Sequence, residues 1–143
     1  MYRKIFKYIV GGKISQISRV CNLICISIES CGISTHLHIQ TFFRVLHNGK
    51  VVISSEDIYK SDGETSPDCF SWDVPGNSLF DKSLLINQGK WFDKKITDVQ
   101  RKRNKDLKIV FDDKYVLEIF VDTVSLEEKY RIFNDYNEGI VEY

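Results

Sequence analysis

Apolar and polar residues alternate along most of this chain with a period of two, the pattern of strands that bury one face. Ile5 to Val10 is β-branched and aromatic, and it ends at Gly11-Gly12, a turn signal. Ile14 to Ile17 is a short strand. From Val20 to Ile28, Leu23 and Cys25 fall on one side and Ile24, Ile26 and Ile28 on the other. Both sides are apolar, as in a strand covered on both faces. Cys31-Gly32 interrupts the run, and Thr35 to Leu46 then reads as the longest strand. Its Leu37, Ile39, Phe43 and Val45 share one parity, and His36, His38, Gln40 and Phe42 share the other. His47-Asn48-Gly49-Lys50 follows. Asn-Gly tolerates positive φ at both central positions of a type I′ turn, so a tight hairpin is predicted, with Val51 to Ser54 returning.

The pattern then changes. Residues 56–76 are rich in Ser, Asp and Gly and hold both prolines, a long polar connection of the kind that often carries function. Asn77 or Ser78 can cap a helix in which Leu79, Phe80, Leu84 and Leu85 recur at helical spacing, and Gly89 stops it. Trp91 and Phe92 are expected to seal its exit. Strands resume over Lys94 to Val99, Leu107 to Phe111 and Tyr115 to Val121. Ser125-Leu126-Glu127-Glu128 has capping-box spacing and predicts one helical turn. Tyr130, Ile132 and Phe133 supply a last strand.

The two ends repeat one pattern. Ile14, Leu23 and Leu37 match Ile96, Leu107 and Leu117 at offsets of 82, 84 and 80. The predicted fold is α+β and mainly β, with two pseudo-repeated antiparallel meanders forming a sandwich or an open barrel. One helix lies between them and packs on the sheet. A single domain is expected, divided into a first meander (1–54), a loop (55–76), the helix (77–89) and a second meander (90–143).

A length of 143 residues, 43% of them hydrophobic and 13% aromatic, suits one folded core without disulfide or metal support. Apolar stretches are too short to span a bilayer, and the N-terminus has no signal-peptide run, so a cytoplasmic location is expected. Cys21, Cys25, Cys31 and Cys69 form no Cys-x-x-Cys pair and read as small buried hydrophobes, with Cys21 and Cys25 on one strand face. Net charge is zero but unevenly spread. Residues 1–50 carry seven basic side chains against one acidic, and residues 106–143 carry ten acidic against four basic. Such asymmetry marks either a partner-binding face or two halves of a fold attracting each other.

Candidate chemistry is sparse. His36 and His38 project from one strand face beside Gln40, yet a metal pair needs further ligands, and none stands at strand spacing. Glycine-flanked nucleophile motifs are absent, and Gly11-Gly12-Lys13 lacks the rest of a phosphate loop. The basic run Arg101 to Lys105 has no interleaved aromatics, so nucleic-acid binding is not expected. No catalytic, cofactor-binding or metal-binding residue is assigned, and the chain is not read as an enzyme.

The chain combines a Gly-Gly-Lys-Ile strand, Leu37 to Val45 before an Asn-Gly hairpin and Ser55-Glu56-Asp57. A Trp-bearing linker follows, and Asp106 to Phe111 and Leu117 to Asp122 come near the end. In this order the chain resembles small bacterial immunity proteins encoded beside polymorphic or contact-dependent inhibition toxins. The resemblance extends over most of the chain and assigns no individual residue a role. It implies a binding protein that occludes a cognate toxin, in some cases a nuclease, without chemistry of its own. On this reading the acidic C-terminal third faces a basic site on the toxin, with Glu118, Asp122, Glu127 and Glu128 as partner-binding candidates. Glu118 and Asp122 share strand parity and are expected to be exposed. The partner is the toxin, with no nucleic acid or membrane, and the protein is a monomer or weak homodimer. The alternative is a small-ligand binder or enzyme whose pocket is lined by His36, His38 and Gln40. A third reading is a structural module that associates through an edge strand.

Overall fold

The protein is described from a computed structural model covering residues 4–143. Residues 1–3, which include Arg3 of the basic N-terminal stretch, lie outside the description. Among the described residues, ten strands form two five-stranded antiparallel sheets, and the sheets do not close into a barrel.

The first sheet holds a meander of β1 (Lys13–Val20), β2 (Leu23–Ser30) and β3 (Ile33–Ile39). The chain then crosses to the second sheet as the hairpin β4 (Phe43–His47) and β5 (Lys50–Ser54). The second half does the reverse. Helix α1 (Leu79–Trp91) leads to a meander in the second sheet, β6 (Ile96–Arg101), β7 (Leu107–Phe111) and β8 (Tyr115–Ile119). The hairpin β9 (Tyr130–Asn134) and β10 (Asn137–Glu142) then crosses back to the first sheet. Strand orders are β1-β2-β3-β9-β10 and β5-β4-β8-β7-β6, so each half completes the other half's sheet.

The pseudo-symmetry extends to register. Ile39 opposes Tyr130 and Leu37 opposes Ile132 in one sheet, as Ile119 opposes Phe43 and Leu117 opposes Val45 in the other. Bulges match too. Ser15 and Thr97 each stand out of register, and their hydroxyls donate to the Ser27 and Val110 carbonyls at 3.2 Å. The structural counterpart of Leu107 is Ile24, not Leu23. Ile24 pairs with Ile39 as Leu107 pairs with Ile119, and only Ile24 points into the core.

The inward parity of every strand meets in one cluster, from Ile14, Ile24, Ile26, Ile28, Leu37 and Ile39 to Leu107, Ile109, Phe111, Leu117 and Ile119. Each such side chain contributes about 1.5–3 kcal/mol on burial, which sets the register of both sheets. The outer face of β2 is only half-buried, so the strand is covered on one side and not on both. Asn48 and Gly49 have φ of 53° and 77°, the left-handed pair that the hairpin requires.

Local differences from the sequence reading have clear causes. Ile5 to Val10 is not a strand; Lys4–Tyr8 forms a 3-10 turn that buries Ile5 and Phe6. The long strand from Thr35 to Leu46 is two strands, because residues 40–42 carry the chain between sheets. Gly89 does not stop α1, which runs two residues further because Trp91 is buried against Phe92 and Phe111. Of its apolar side chains, Phe80 is buried and Leu85 and Ile86 face outwards. Residues 125–128 form an extended loop and not a helical turn. A further strand, β10, follows Phe133 where the sequence had suggested none.

Candidate functional site

Symmetry locates the site by where it fails. Three residues separate β3 from β4, whereas ten separate the equivalent β8 and β9. The flanking backbone bonds are still matched: Gln40 N–H donates to Lys129 O at 2.8 Å, and Phe120 N–H donates to Phe42 O at 3.0 Å. The crossover, seven residues longer, bulges out as an eight-residue loop over 121–128 where the first half has Thr41 alone. The other segment without a counterpart is the connection over 55–78. These two segments face each other across the crossovers and enclose a cleft of about 360 Å³.

One wall begins at Ser54, whose hydroxyl accepts from Glu56 N–H and caps a 3-10 turn, Ser55–Tyr59. Glu56 and Tyr59 border the cleft, and Asn22 from the β1–β2 turn donates to the Tyr59 hydroxyl at 3.1 Å. Tyr59 rests against Trp72, with ring centroids 5.0 Å apart. The polar connection that carries Trp72 and Val74 is held by Arg19, which is 7% exposed. Its Nε and Nη2 each donate to the Asp81 carboxylate at 2.8 Å. Its remaining N–H groups reach the carbonyls of Cys21, Trp72 and Val74 at 2.7, 2.7 and 3.2 Å. Asp81 also closes the capping box of α1 with Ser78 and accepts from Gly76 N–H. Burial pushes the Asp81 carboxyl up, but the Arg19 guanidinium and the Gly76 and Ser78 N–H groups outweigh it and hold the group at about 2.

The opposite wall is the 121–128 loop. Lys129 is 4% exposed, and its ammonium donates to the Ser125 carbonyl and hydroxyl and to the Glu127 carbonyl, winding the loop around itself. The Thr41 hydroxyl lies 2.6 Å from Phe120 O and 2.9 Å from the Asp122 carboxylate. Asp106 accepts from Val121 N–H at the loop's start. Asp122, Thr123, Ser125 and Glu127 therefore border the cleft, while Val124 and Leu126 of the same loop are 100% and 88% exposed.

The four partner-binding candidates separate. Asp122 and Glu127 line the cleft. Glu128 accepts from Gln40 and from Arg131 just outside it. Glu118 is elsewhere, half-buried in the second sheet and paired with Arg44 across the strands at 2.9 Å. It does not project with Asp122, because β8 ends at Ile119. For Glu118 the basic N-terminal half and the acidic C-terminal half attract each other.

Of the alternative pocket only Gln40 borders the cleft. His36 and His38 lie on the outer face of the first sheet on either side of Phe133, with centroids 5.4 and 5.0 Å away. Burial and the nearby His36 push the His38 pKa below the usual histidine value. Among the described residues no group of three or more His, Cys, Asp or Glu side chains is placed to hold a metal. The cysteines are free thiols and not buried: Cys21 and Cys31 occupy exposed turns with φ of 55° and 51°, Cys69 is exposed, and Cys25 is half-buried. Tyr59 and Lys129 carry no signal of a role in the sequence, whereas Glu56 stands out there only as part of Ser55-Glu56-Asp57 and Trp72 only as the tryptophan of the polar connection.

No protein family, curated protein or solved structure matches the chain. Among the described residues no helix is long and apolar enough to cross a membrane.

Proposed function

We propose that this protein is a cytoplasmic bacterial immunity protein that neutralises a cognate toxin of a polymorphic or contact-dependent inhibition system. It occludes the toxin through the crossover cleft and performs no catalysis itself. One observation carries the reading: the two segments without a counterpart in the repeat converge on a single cleft that combines carboxylates outside any ion pair among the described residues with the exposed ring of Tyr59. That composition suits a protein interface, in which aromatic anchors supply affinity and charge steers encounter. Glu56, Asp122 and Glu127 form its acidic lining, complementary to the basic nucleic-acid-binding site of a nuclease toxin. The resemblance in the order of sequence features supports the same class.

The protein acts as a monomer in this reading. Each edge strand, β1, β5, β6 and β10, is out of register with its neighbour at a bulge, a device that discourages edge-to-edge pairing. Recognition through side chains of the cleft is then favoured over strand addition.

The test is co-expression with the product of the neighbouring open reading frame. Protection from growth arrest by the wild-type chain is expected. The combined Glu56→Lys, Asp122→Lys and Glu127→Lys variant should lose protection while melting at the same temperature. An unimpaired triple variant, or a neighbour without toxicity, would overturn the reading.

A further inference from the structure

We infer that the partner enters the crossover cleft with an arginine side chain, a deepening that rests on the function proposed above. Charge is the first argument. Acidic side chains next in sequence to the lining residues are already engaged by cations of this chain: Asp57 with Lys60 and Glu128 with Arg131. Glu56, Asp122 and Glu127, which line it, form no ion pair among the described residues. The cation that lines the cleft, Lys129, spends its ammonium protons on Ser125 and Glu127 oxygens. Three acceptor-only groups therefore open into one concavity without a donor of matching charge.

Size and shape supply the second argument. A volume of about 360 Å³ lies at the lower end of small-molecule pockets, which run to about 1,000 Å³. It has room for one long side chain and not for a helix or strand. Tyr59 presents an aromatic surface on the wall beside Glu56, backed by Trp72 and braced by Asn22. A guanidinium uses such a wall twice, stacking on the ring while its fork donates to carboxylates. An ammonium is a compact charge that stacks less well and makes no fork. Val124 and Leu126, exposed on the loop that forms the opposite wall, are then available to the apolar surface around the inserted residue.

The experiment needs no toxin. The full-length ¹⁵N-labelled protein is titrated with N-acetyl-arginine methylamide and, separately, with N-acetyl-lysine methylamide, and amide shifts are followed by NMR. Saturable shifts at Asn22, Thr41, Tyr59 and Thr123 are expected, with at least threefold tighter binding for the arginine probe. The combined Glu56→Gln, Asp122→Asn and Glu127→Gln variant, whose sites are exposed, should weaken binding at least tenfold. Tyr59→Leu should bring the arginine-to-lysine ratio close to one. The inference is overturned by shifts spread over other acidic surfaces such as Glu29 and Asp135, by equal affinity for the two probes, or by binding unchanged in the triple variant. Failure here with intact protection in co-expression removes the arginine assignment alone, whereas specific arginine binding without protection removes the toxin reading.

Discussion

Removing the Arg19 guanidinium should loosen one wall of the cleft, and the size of the effect follows from its contacts. Arg19→Met keeps most of the apolar stem but leaves the carbonyls of Cys21, Trp72 and Val74 without a donor and the Asp81 carboxylate without its cation. Breaking a buried pair in this way costs roughly 3–5 kcal/mol. Asp81 keeps the Gly76 and Ser78 N–H groups, which places the expected loss near the lower bound. The pKa reports what all the groups around the carboxylate do together, Arg19 with the Gly76 and Ser78 groups against burial. A fall from 3.8 to about 2 in the folded state corresponds to about 2.5 kcal/mol. Because the folded value is depressed, this stability is fully present above the unfolded pKa and is lost as pH falls through about 2. A double-mutant cycle of Arg19→Met and Asp81→Asn in urea, followed by circular dichroism, cancels the titration of all other carboxylates. The coupling should be about 2–3 kcal/mol at pH 7 and below about 1 kcal/mol near pH 2. Trp72 emission should shift to the red in Arg19→Met as its segment is released, while buried Trp91 stays unchanged. A coupling near zero at pH 7, or one that does not fall with pH, would refute the assignment of Arg19 as the clamp of this wall.

Five further outcomes are expected. Gly139→Ala should be severely destabilising in thermal melts, since a Cβ there would lie 1.6 Å from Ile132 O at φ +79°. Gly49→Val meets open space and should cost only the left-handed backbone strain, roughly 1–3 kcal/mol. Glu118→Lys places a like charge opposite Arg44 and should lower stability by roughly 1 kcal/mol with no change in partner affinity, whereas Asp122→Lys should do the reverse. Replacing residues 121–129 with Thr-Phe, the crossover used by the first half, should leave a folded protein without the cleft; failure to fold would show that the loop supports the sandwich. Elemental analysis of purified protein should find no stoichiometric zinc, iron or manganese, because His36 and His38 pack against Phe133 and have no third ligand beside them among the described residues.

The period-two pattern and the Asn48-Gly49 turn were readable one residue at a time, because strand parity and positive φ are local properties of the chain. Inward positions such as Ile24, Ile26 and Ile28, or Leu37 and Ile39, therefore stand where the alternation puts them. The repeat between the two halves was visible for the same reason, since it is a comparison of local patterns. Sheet membership was not. Nothing in residues 35–46 distinguishes one long strand from two strands in different sheets, because inward parity continues unbroken from Ile39 to Phe43 across the crossover. The end of α1 was likewise settled by the burial of Trp91, which overrides the helix-breaking tendency of Gly89.

The site depended on tertiary structure still more. Glu118 and Asp122 look equivalent in the sequence, yet one is committed to Arg44 by strand register and the other, on a loop, is in no ion pair among the described residues. Glu56 and Glu127 are 71 positions apart and share a cleft only because the two halves exchange hairpins. Local sequence determined which residues face inwards. Pairing between distant strands, driven by burial of those faces in one core, decided which polar residues meet.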